Sequence, residues 1–173
     1  MTPERGRQME AKMAVLSKVH LTGTGEGVWI SNRATLDSVA SHLIDVGDYV
    51  TITAGVCLLT HDALGKILDG RVKYGRIIIG NHVAIGVKAV LLPGVRIGDG
   101  SIIGAGAVVV SGTDVPAGEV WGGNPARRLG TVEQFIARRR TQKALRPSEL
   151  EELQKGGMRE KLAPLETVLT EGK

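Results

Sequence analysis

Aliphatic residues recur at every sixth position through the middle of the chain. Seven such positions in a row hold Ile, Leu or Val, namely Ile79, Ile85, Leu91, Ile97, Ile103, Val109 and Val115. Glycine directly follows four of them, and the fourth residue after each is small or β-branched in every case but the last. A period of six is neither the 3.6 of an α-helix nor the 2 of a β-strand.

The six-residue period indicates a parallel β-helix, in which each hexad forms one flat face of a triangular coil. The aliphatic residue points into a narrow interior, the small residue fills the corner, and glycine permits corner backbone conformations that side chains resist. With one Phe, two Tyr and two Trp, the core of this chain has to be aliphatic. A coil too thin to hold aromatic rings explains that shortage, and we predict an all-β core.

The same rhythm extends upstream with two interruptions. Each aliphatic position of the six-residue repeat is called a slot below. The earlier slots are Ile30, Leu36, Val46, Ile52 and Leu58. About four extra residues bulge out around 39–43, before Val46. The slot after Leu58 would be position 64, yet the rhythm resumes only at Ile79, so the segment 61–76 leaves the coil as a protruding loop.

The termini do not follow the hexad pattern. We predict a capping segment over 1–26, where Met9, Met13 and Leu16 have helical spacing, and a β-helix over 27–130. The tail 131–173 carries two capping-box signatures, Thr131 with Gln134 and Ser148 with Glu151, and is therefore predicted to form α-helices.

Charge and composition exclude several function classes. The net charge of +4 is modest, and much of the excess lies in the tail with little aromatic interleaving, so nucleic-acid binding is not indicated. The single Cys57 permits no intramolecular disulfide and suits a reducing compartment. No stretch is long and apolar enough to span a membrane, and the N-terminus lacks a signal-peptide apolar region, so a cytoplasmic protein is expected.

The loop begins with Thr60-His61-Asp62, where the chain leaves a rigid sheet. A histidine at this place has a fixed backbone and a ring near the surface, as a general base requires. The alternative is an ordinary surface histidine. Asp62 fits orientation of His61, contact with an acceptor, or a turn-forming role.

Five stretches carry a resemblance to a known family: Thr60-His61-Asp62, the runs 79–86, 92–98 and 103–109, and Gly123-Asn124-Pro125-Ala126-Arg127. They resemble the left-handed β-helix hexapeptide acyltransferases, and most of all the maltose and galactoside O-acetyltransferases and their relatives that modify bacterial surface polysaccharides. The resemblance implies a left-handed parallel β-helix of about four coils. It also implies a homotrimer with active sites between subunits, acetyl-CoA as acyl donor, and no metal.

The resemblance also implies residue roles. His61 matches the catalytic base, and the coil bearing Gly86 and Val87 would supply the backbone N–H for the oxyanion. The remaining coenzyme contacts would be Gly104, Ala105, Arg127 and Arg128. On the acceptor side we predict Trp29, Asp37, Asp62 and His82, although His82 also fits a solvated or intersubunit position.

Four functions remain open. The leading one is transfer of an acetyl group from acetyl-CoA to a hydroxyl of a sugar or surface-polysaccharide precursor. N-acetylation of an amino sugar or nucleotide-linked amino sugar would use the same base. A γ-class carbonic anhydrase would need three histidine ligands around zinc, and a catalytically silent structural solenoid would need none of these groups.

Overall fold

The computed structural model describes residues 16–140. The chain divides into two compact units, of which the first ends at Val132 and the second begins at Glu133. Most of the predicted N-terminal cap (residues 1–15) and the second capping box (Ser148 with Glu151) lie outside the described residues.

Three parallel sheets form the faces of a triangular prism. Face A contains β1 (His20–Leu21), β4 (Ile44–Val46), β9 (Ile77–Ile79), β12 (Arg96–Ile97) and β15 (Asp114–Val115). Face B contains β2 (Trp29–Ile30), β5 (Thr51–Ile52), β10 (Ala84–Ile85), β13 (Ile102–Ile103) and β16 (Glu119–Gly122). Face C contains β3 (Thr35–Leu36), β6 (Cys57–Leu58), β11 (Val90–Leu91) and β14 (Val108–Val109). Four complete coils and a partial fifth result, and the predicted all-β, left-handed parallel β-helix is confirmed.

The aliphatic slots line the interior in stacked rows. In the sheet of face B, for example, Ile52, Ile85 and Ile103 lie in register on successive coils, and all three are fully buried. Burial of each such side chain contributes about 1.5–3 kcal/mol. Trp121 takes the equivalent position opposite Ile103 in the last coil and packs partly buried against the core.

One coil strand precedes the start that the rhythm predicts at position 27. Leu21 of β1 pairs with Val46 of β4 and therefore occupies an aliphatic slot. The next slot, Ile30, comes nine positions after Leu21, and this spacing hides β1 from a search for a period of six.

Both predicted interruptions of the coil are present. A 3₁₀ helix, Ser41–Leu43, lies in the bulge before β4. The protruding loop contains β7 (His61–Asp62) and β8 (Lys73–Tyr74), which pair antiparallel, with the short helix α1 (Lys66–Asp69) between them.

After the coil, the chain forms one strand that the hexad pattern did not predict and then the predicted helix, as far as the structure describes it. The strand β17 (Arg127–Thr131) pairs antiparallel with β16, and the helix α2 (Val132–Arg140) follows it. Within residues 16–140, no helix has the length and apolar character needed to cross a membrane.

Candidate active site

The corners of the prism separate the predicted site residues. We name each corner by the two faces that it joins in chain order, so that the chain passes the A–B, B–C and C–A corners in every coil. His61 and Asp37 lie at the C–A corner, His82 at the A–B corner, and Gly86, Val87, Gly104 and Ala105 at the B–C corner. Trp29 lies in β2 at one edge of the face B sheet. Arg127 and Arg128 lie in β17, which pairs with β16 at the opposite edge of that sheet. Within one chain, the structure brings together His61, Asp37 and the adjacent Asp62.

The strongest polar contact at the C–A corner joins His61 to Asp37. The Nδ1 atom of His61 lies 2.5 Å from Oδ2 of Asp37, and the aspartate is only 3% exposed. Asp37 is therefore buried beneath the histidine, where no acceptor can reach it. This corrects the acceptor-side role predicted for Asp37, because its carboxylate faces the His61 ring and the backbone instead.

The Asp37 carboxylate is saturated with donors. Its Oδ1 accepts hydrogen bonds from the N–H groups of Val39 and Ala40, at 2.8 and 3.2 Å. Its Oδ2 accepts the N–H groups of Thr60 and His61, at 2.9 and 3.1 Å. Burial alone would raise the pKa of Asp37, but these bonds and the one from the His61 ring outweigh it. They hold the pKa of that carboxyl well below its usual range.

The ionised Asp37 fixes the proton on the imidazole. A carboxylate only accepts, so Nδ1 carries the proton and Nε2 keeps its lone pair in the neutral form of the His61 ring. The His61 side chain is 26% exposed, and Nε2 has no partner within the described residues. A histidine that is oriented at one nitrogen and free at the other is the arrangement of a general base.

Tyr74 is a neighbour of His61 that the sequence analysis missed. It is paired directly opposite His61 in the β7–β8 hairpin, and the two ring centroids are 5.9 Å apart with planes inclined by 30°. The only signal in the sequence was that the loop has to close, because its two ends meet again at the coil. That signal does not specify the register of the pairing.

The other predicted acceptor residues have different surroundings. Oδ1 of Asp62 accepts the N–H of Leu64 at 2.8 Å, which is the turn-forming role. His82 has a positive φ of 56° and stacks on Tyr49 with the ring planes 4° apart. Trp29 is 49% exposed on face B. No described contact joins His82 or Trp29 to His61, so their acceptor roles stay predictions.

The B–C corner presents backbone N–H groups that the fold leaves unused. The N–H groups of Val87 and Ala105 have no acceptor within residues 16–140, whereas that of Gly86 donates to the Ile103 carbonyl at 2.8 Å. Gly86 is therefore not an oxyanion donor through its own N–H, and Val87 is the available group of that pair. A Cβ atom at Gly86 would lie 2.5 Å from the Ala105 nitrogen, so close stacking of the coils requires glycine there.

The two arginines at the end of the coil differ in availability. Nε of Arg128 donates to Oε1 of Glu119 at 2.6 Å, and Nε1 of Trp121 donates to the other oxygen of that carboxylate. The bonds from Trp121 and Arg128 hold the pKa of Glu119 below its usual value. Arg127 is exposed, and its guanidinium contacts only the Ala126 carbonyl among the described groups. Arg127 is thus the freer cation.

A metal-binding cluster is not part of this surface. Among residues 16–140, no group of three or more His, Cys, Asp or Glu side chains is placed to hold a metal ion.

Comparisons with known proteins agree with this geometry. The family model of the bacterial transferase hexapeptide (six repeats) matches residues 76–111. The chain is 43% identical over 110 residues to protein CapG of Staphylococcus aureus, a match that covers 60% of this chain and 61% of CapG. It therefore spans less than two thirds of that relative.

Two solved structures share the fold. One is a hexapeptide-repeat containing acetyltransferase of Vibrio cholerae, complexed with acetyl coenzyme A. It is 26% identical with a TM-score of 0.56, and the match covers 66% of this chain and 60% of that one. The other is a galactoside acetyltransferase in complex with coenzyme A, which is 25% identical with a TM-score of 0.57, covering 79% and 74%.

Proposed function

Since the hexapeptide-repeat model of bacterial transferases matches the coil over residues 76–111, we propose that this chain is a CoA-dependent acetyltransferase. The donor is acetyl-CoA, and the acceptor is a hydroxyl of a sugar or surface-polysaccharide precursor. The observation that carries this proposal is the His61–Asp37 pair, which leaves a basic nitrogen free beside a loop. The similarity to a galactoside acetyltransferase supports a saccharide acceptor.

In the proposed reaction, Nε2 of His61 removes the proton from the acceptor hydroxyl. The oxygen attacks the carbonyl carbon of the thioester, the carbon–sulfur bond breaks, and the departing CoA thiolate takes the proton from Nε2. A positioned general base of this kind contributes about 10²–10⁴-fold. Asp37 keeps the imidazole in the required tautomer and offsets the positive charge that develops on it.

The free N–H groups at the B–C corner suit the donor. The N–H of Val87 is assigned to the developing oxyanion, and that of Ala105 to the pantetheine arm, because neither has an acceptor in the described chain. Gly86 keeps the backbone close-packed at this corner, whereas a Cβ atom at Gly104 would make only ordinary contacts, the nearest at 3.4 Å from the Trp121 carbonyl oxygen. Arg127 is assigned to a CoA phosphate, since guanidinium suits phosphate and Arg128 is already paired with Glu119.

We propose a homotrimer, which the separation of these groups supports. His61 lies at the C–A corner and the donor residues at the B–C corner of the same prism, so we propose that one subunit supplies the base and its neighbour the CoA-binding corner. Analytical ultracentrifugation tests this assembly, and a stable, active monomer would contradict it.

The function is tested by thiol release from acetyl-CoA with a panel of hydroxyl and amino acceptors. Mass spectrometry identifies the product, and mild alkali removes an O-acetyl ester but leaves an N-acetyl amide. Transfer to saccharide hydroxyls supports the proposal, and transfer to amino sugars alone would favour the N-acetyltransferase. Absence of transfer to every acceptor would reject both.

A further inference from the structure

Tyr74 is placed as a functional residue rather than a core residue. It is 53% exposed and lies outside the aliphatic interior, although the chain contains only two tyrosines. Its ring lies beside the His61 imidazole, with the centroids 5.9 Å apart, while Asp37 holds the Nδ1 edge. The exposed side of the Tyr74 ring therefore lies beside the proposed base.

The coil fixes the position of Tyr74. The next residue, Gly75, donates to the Thr60 carbonyl at 2.9 Å, and a Cβ atom there would lie 2.4 Å from the Gly94 nitrogen. Arg76 then donates through Nη1 to both carboxylate oxygens of Asp45, at 3.1 and 2.8 Å. Tyr74 thus immediately precedes two anchored residues, and functional side chains are held most accurately on such rigid supports.

The tip of the loop has a different character. Leu64, Ile67 and Leu68 are between 82% and 90% exposed, and the tip has no comparable ion pair to the coil among the described residues. The anchoring is therefore confined to the base of the hairpin, where Tyr74 faces His61.

The hydroxyl group of Tyr74 is unused. It has no hydrogen-bond partner in the described part of the chain. An exposed aromatic face with a free hydroxyl is amphipathic. It matches a sugar ring, which has an apolar C–H face and a polar edge.

Resting on the proposed function, we propose that Tyr74 binds the acceptor, with its ring packed against the apolar face of a sugar and its hydroxyl bonded to a sugar hydroxyl. Packing on Tyr74 brings the saccharide beside the His61 ring, where Nε2 can reach the reacting hydroxyl. The acceptor class that this surface favours is a cyclic saccharide rather than a linear alcohol or amine.

The test compares the two tyrosines of the chain. Tyr74→Phe removes only the hydroxyl and Tyr74→Leu removes the ring, while Tyr49→Phe and Tyr49→Leu are the matched controls. Steady-state kinetics give the KM for acceptor and for acetyl-CoA separately, and calorimetry measures binding of the same saccharides without acetyl-CoA. Melting temperatures verify folding, and Tyr74→Phe decides the matter if Tyr74→Leu does not fold.

We expect Tyr74→Phe and Tyr74→Leu each to raise the acceptor KM by about 2- to 10-fold, the loss of one hydrogen bond or one ring contact. The KM for acetyl-CoA stays at the wild-type value in the Tyr74 variants. In both Tyr49 control variants, the KM for acceptor and the KM for acetyl-CoA stay at the wild-type values. An unchanged acceptor KM in both Tyr74 variants would overturn the proposal and leave the acetyltransferase function standing. A fall in kcat alone would also overturn it, because Tyr74 would then only position His61.

The calorimetric arm separates the two proposals when the wild type transfers no acetyl group. The proposed function then fails, and weaker saccharide binding by the Tyr74 variants than by the Tyr49 controls still supports Tyr74 as a saccharide contact. Absence of saccharide binding by the wild type would overturn it.

Discussion

Two tyrosine–histidine pairs stand at different corners of the β-helix and have different surroundings. At the C–A corner, Tyr74 packs on His61, whose Nδ1 is bound to the buried Asp37. At the A–B corner, Tyr49 stacks on His82 with centroids 4.8 Å apart, and no carboxylate contacts the His82 ring among the described residues. The same two side-chain types therefore form a polarised histidine at one corner and a plain aromatic stack at the other.

The side chains that accept hydrogen bonds at the two corners have different roles. At the A–B corner, Asp48 accepts the N–H groups of Thr24 and Gly25, Asn81 accepts that of Asp48, and Asp99 accepts that of Asn81. These groups join successive coils through the backbone. At the C–A corner, Asp37 also accepts backbone N–H groups but adds an imidazole. A carboxylate at a corner thus stabilises the coil in either case, and only a histidine placed above it gives the pair a catalytic use.

The largest expected difference between the corners is in activity. His61→Ala should lower kcat by about 10²–10⁴-fold, because the proposed base is lost. His82→Ala should keep kcat close to the wild type, because His82 is predicted on the acceptor side and its ring contact among the described residues is the stack on Tyr49. Acetyl-CoA turnover with a saccharide acceptor measures both, and undiminished turnover by His61→Ala would contradict the assigned base.

Asp37→Asn should lower kcat by about 10²-fold while leaving the KM for acetyl-CoA unchanged. The amide can present its NH₂ group to Nδ1, which favours the tautomer with the proton on Nε2 and so blocks proton removal. Asp48→Asn is the matched control at the other corner and should keep its activity. Equal activities of the two variants would show that Asp37 only accepts hydrogen bonds from the backbone and does not orient His61 for catalysis.

The depressed pKa of Asp37 makes its contribution to folding depend on pH. Its carboxyl ionises in the folded state at a lower pH than in the unfolded chain, where the value is about 3.9. The stabilisation is therefore complete above that pH and is lost as the pH falls towards the lower folded-state pKa. The free-energy difference between wild type and Asp37→Asn, from urea unfolding, should be constant above about pH 5 and shrink below about pH 4. A difference that grows on acidification would reverse the sign and refute the assignment.

The smallest expected effect belongs to the A–B corner. Asn81→Ala removes the acceptor for the Asp48 N–H and should cost about 0.5–1.5 kcal/mol of unfolding free energy. Activity should not change, because this corner is assigned no part in catalysis. Denaturant unfolding together with a turnover assay tests both halves, and a loss of activity in a fully folded Asn81→Ala protein would give this corner a role in the site.

The candidate site was only partly visible in the sequence. His61 stood out because it follows the last hexad before an insertion, and the position of a histidine at a loop exit can be read from spacing. Its partner could not be read in this way, because Asp37 is 24 residues earlier and follows the slot Leu36 on the preceding coil. The pairing depends on how the bulge at 39–43 folds back, and no periodicity describes an irregular turn.

The sequence by itself determined the prism: each hexad meets the same surroundings, so an aliphatic residue at every sixth place suffices to specify buried rows such as Ile79 and Ile97. Only the tertiary structure decided which polar groups meet at the corners. It buried Asp37 under His61, paired Tyr74 with His61 across the hairpin, and left the Val87 N–H without an acceptor among residues 16–140. The physical reason is that hydrophobic burial repeats with the coil and is read locally, whereas hydrogen bonds between coils depend on three-dimensional register and on segments that break the repeat.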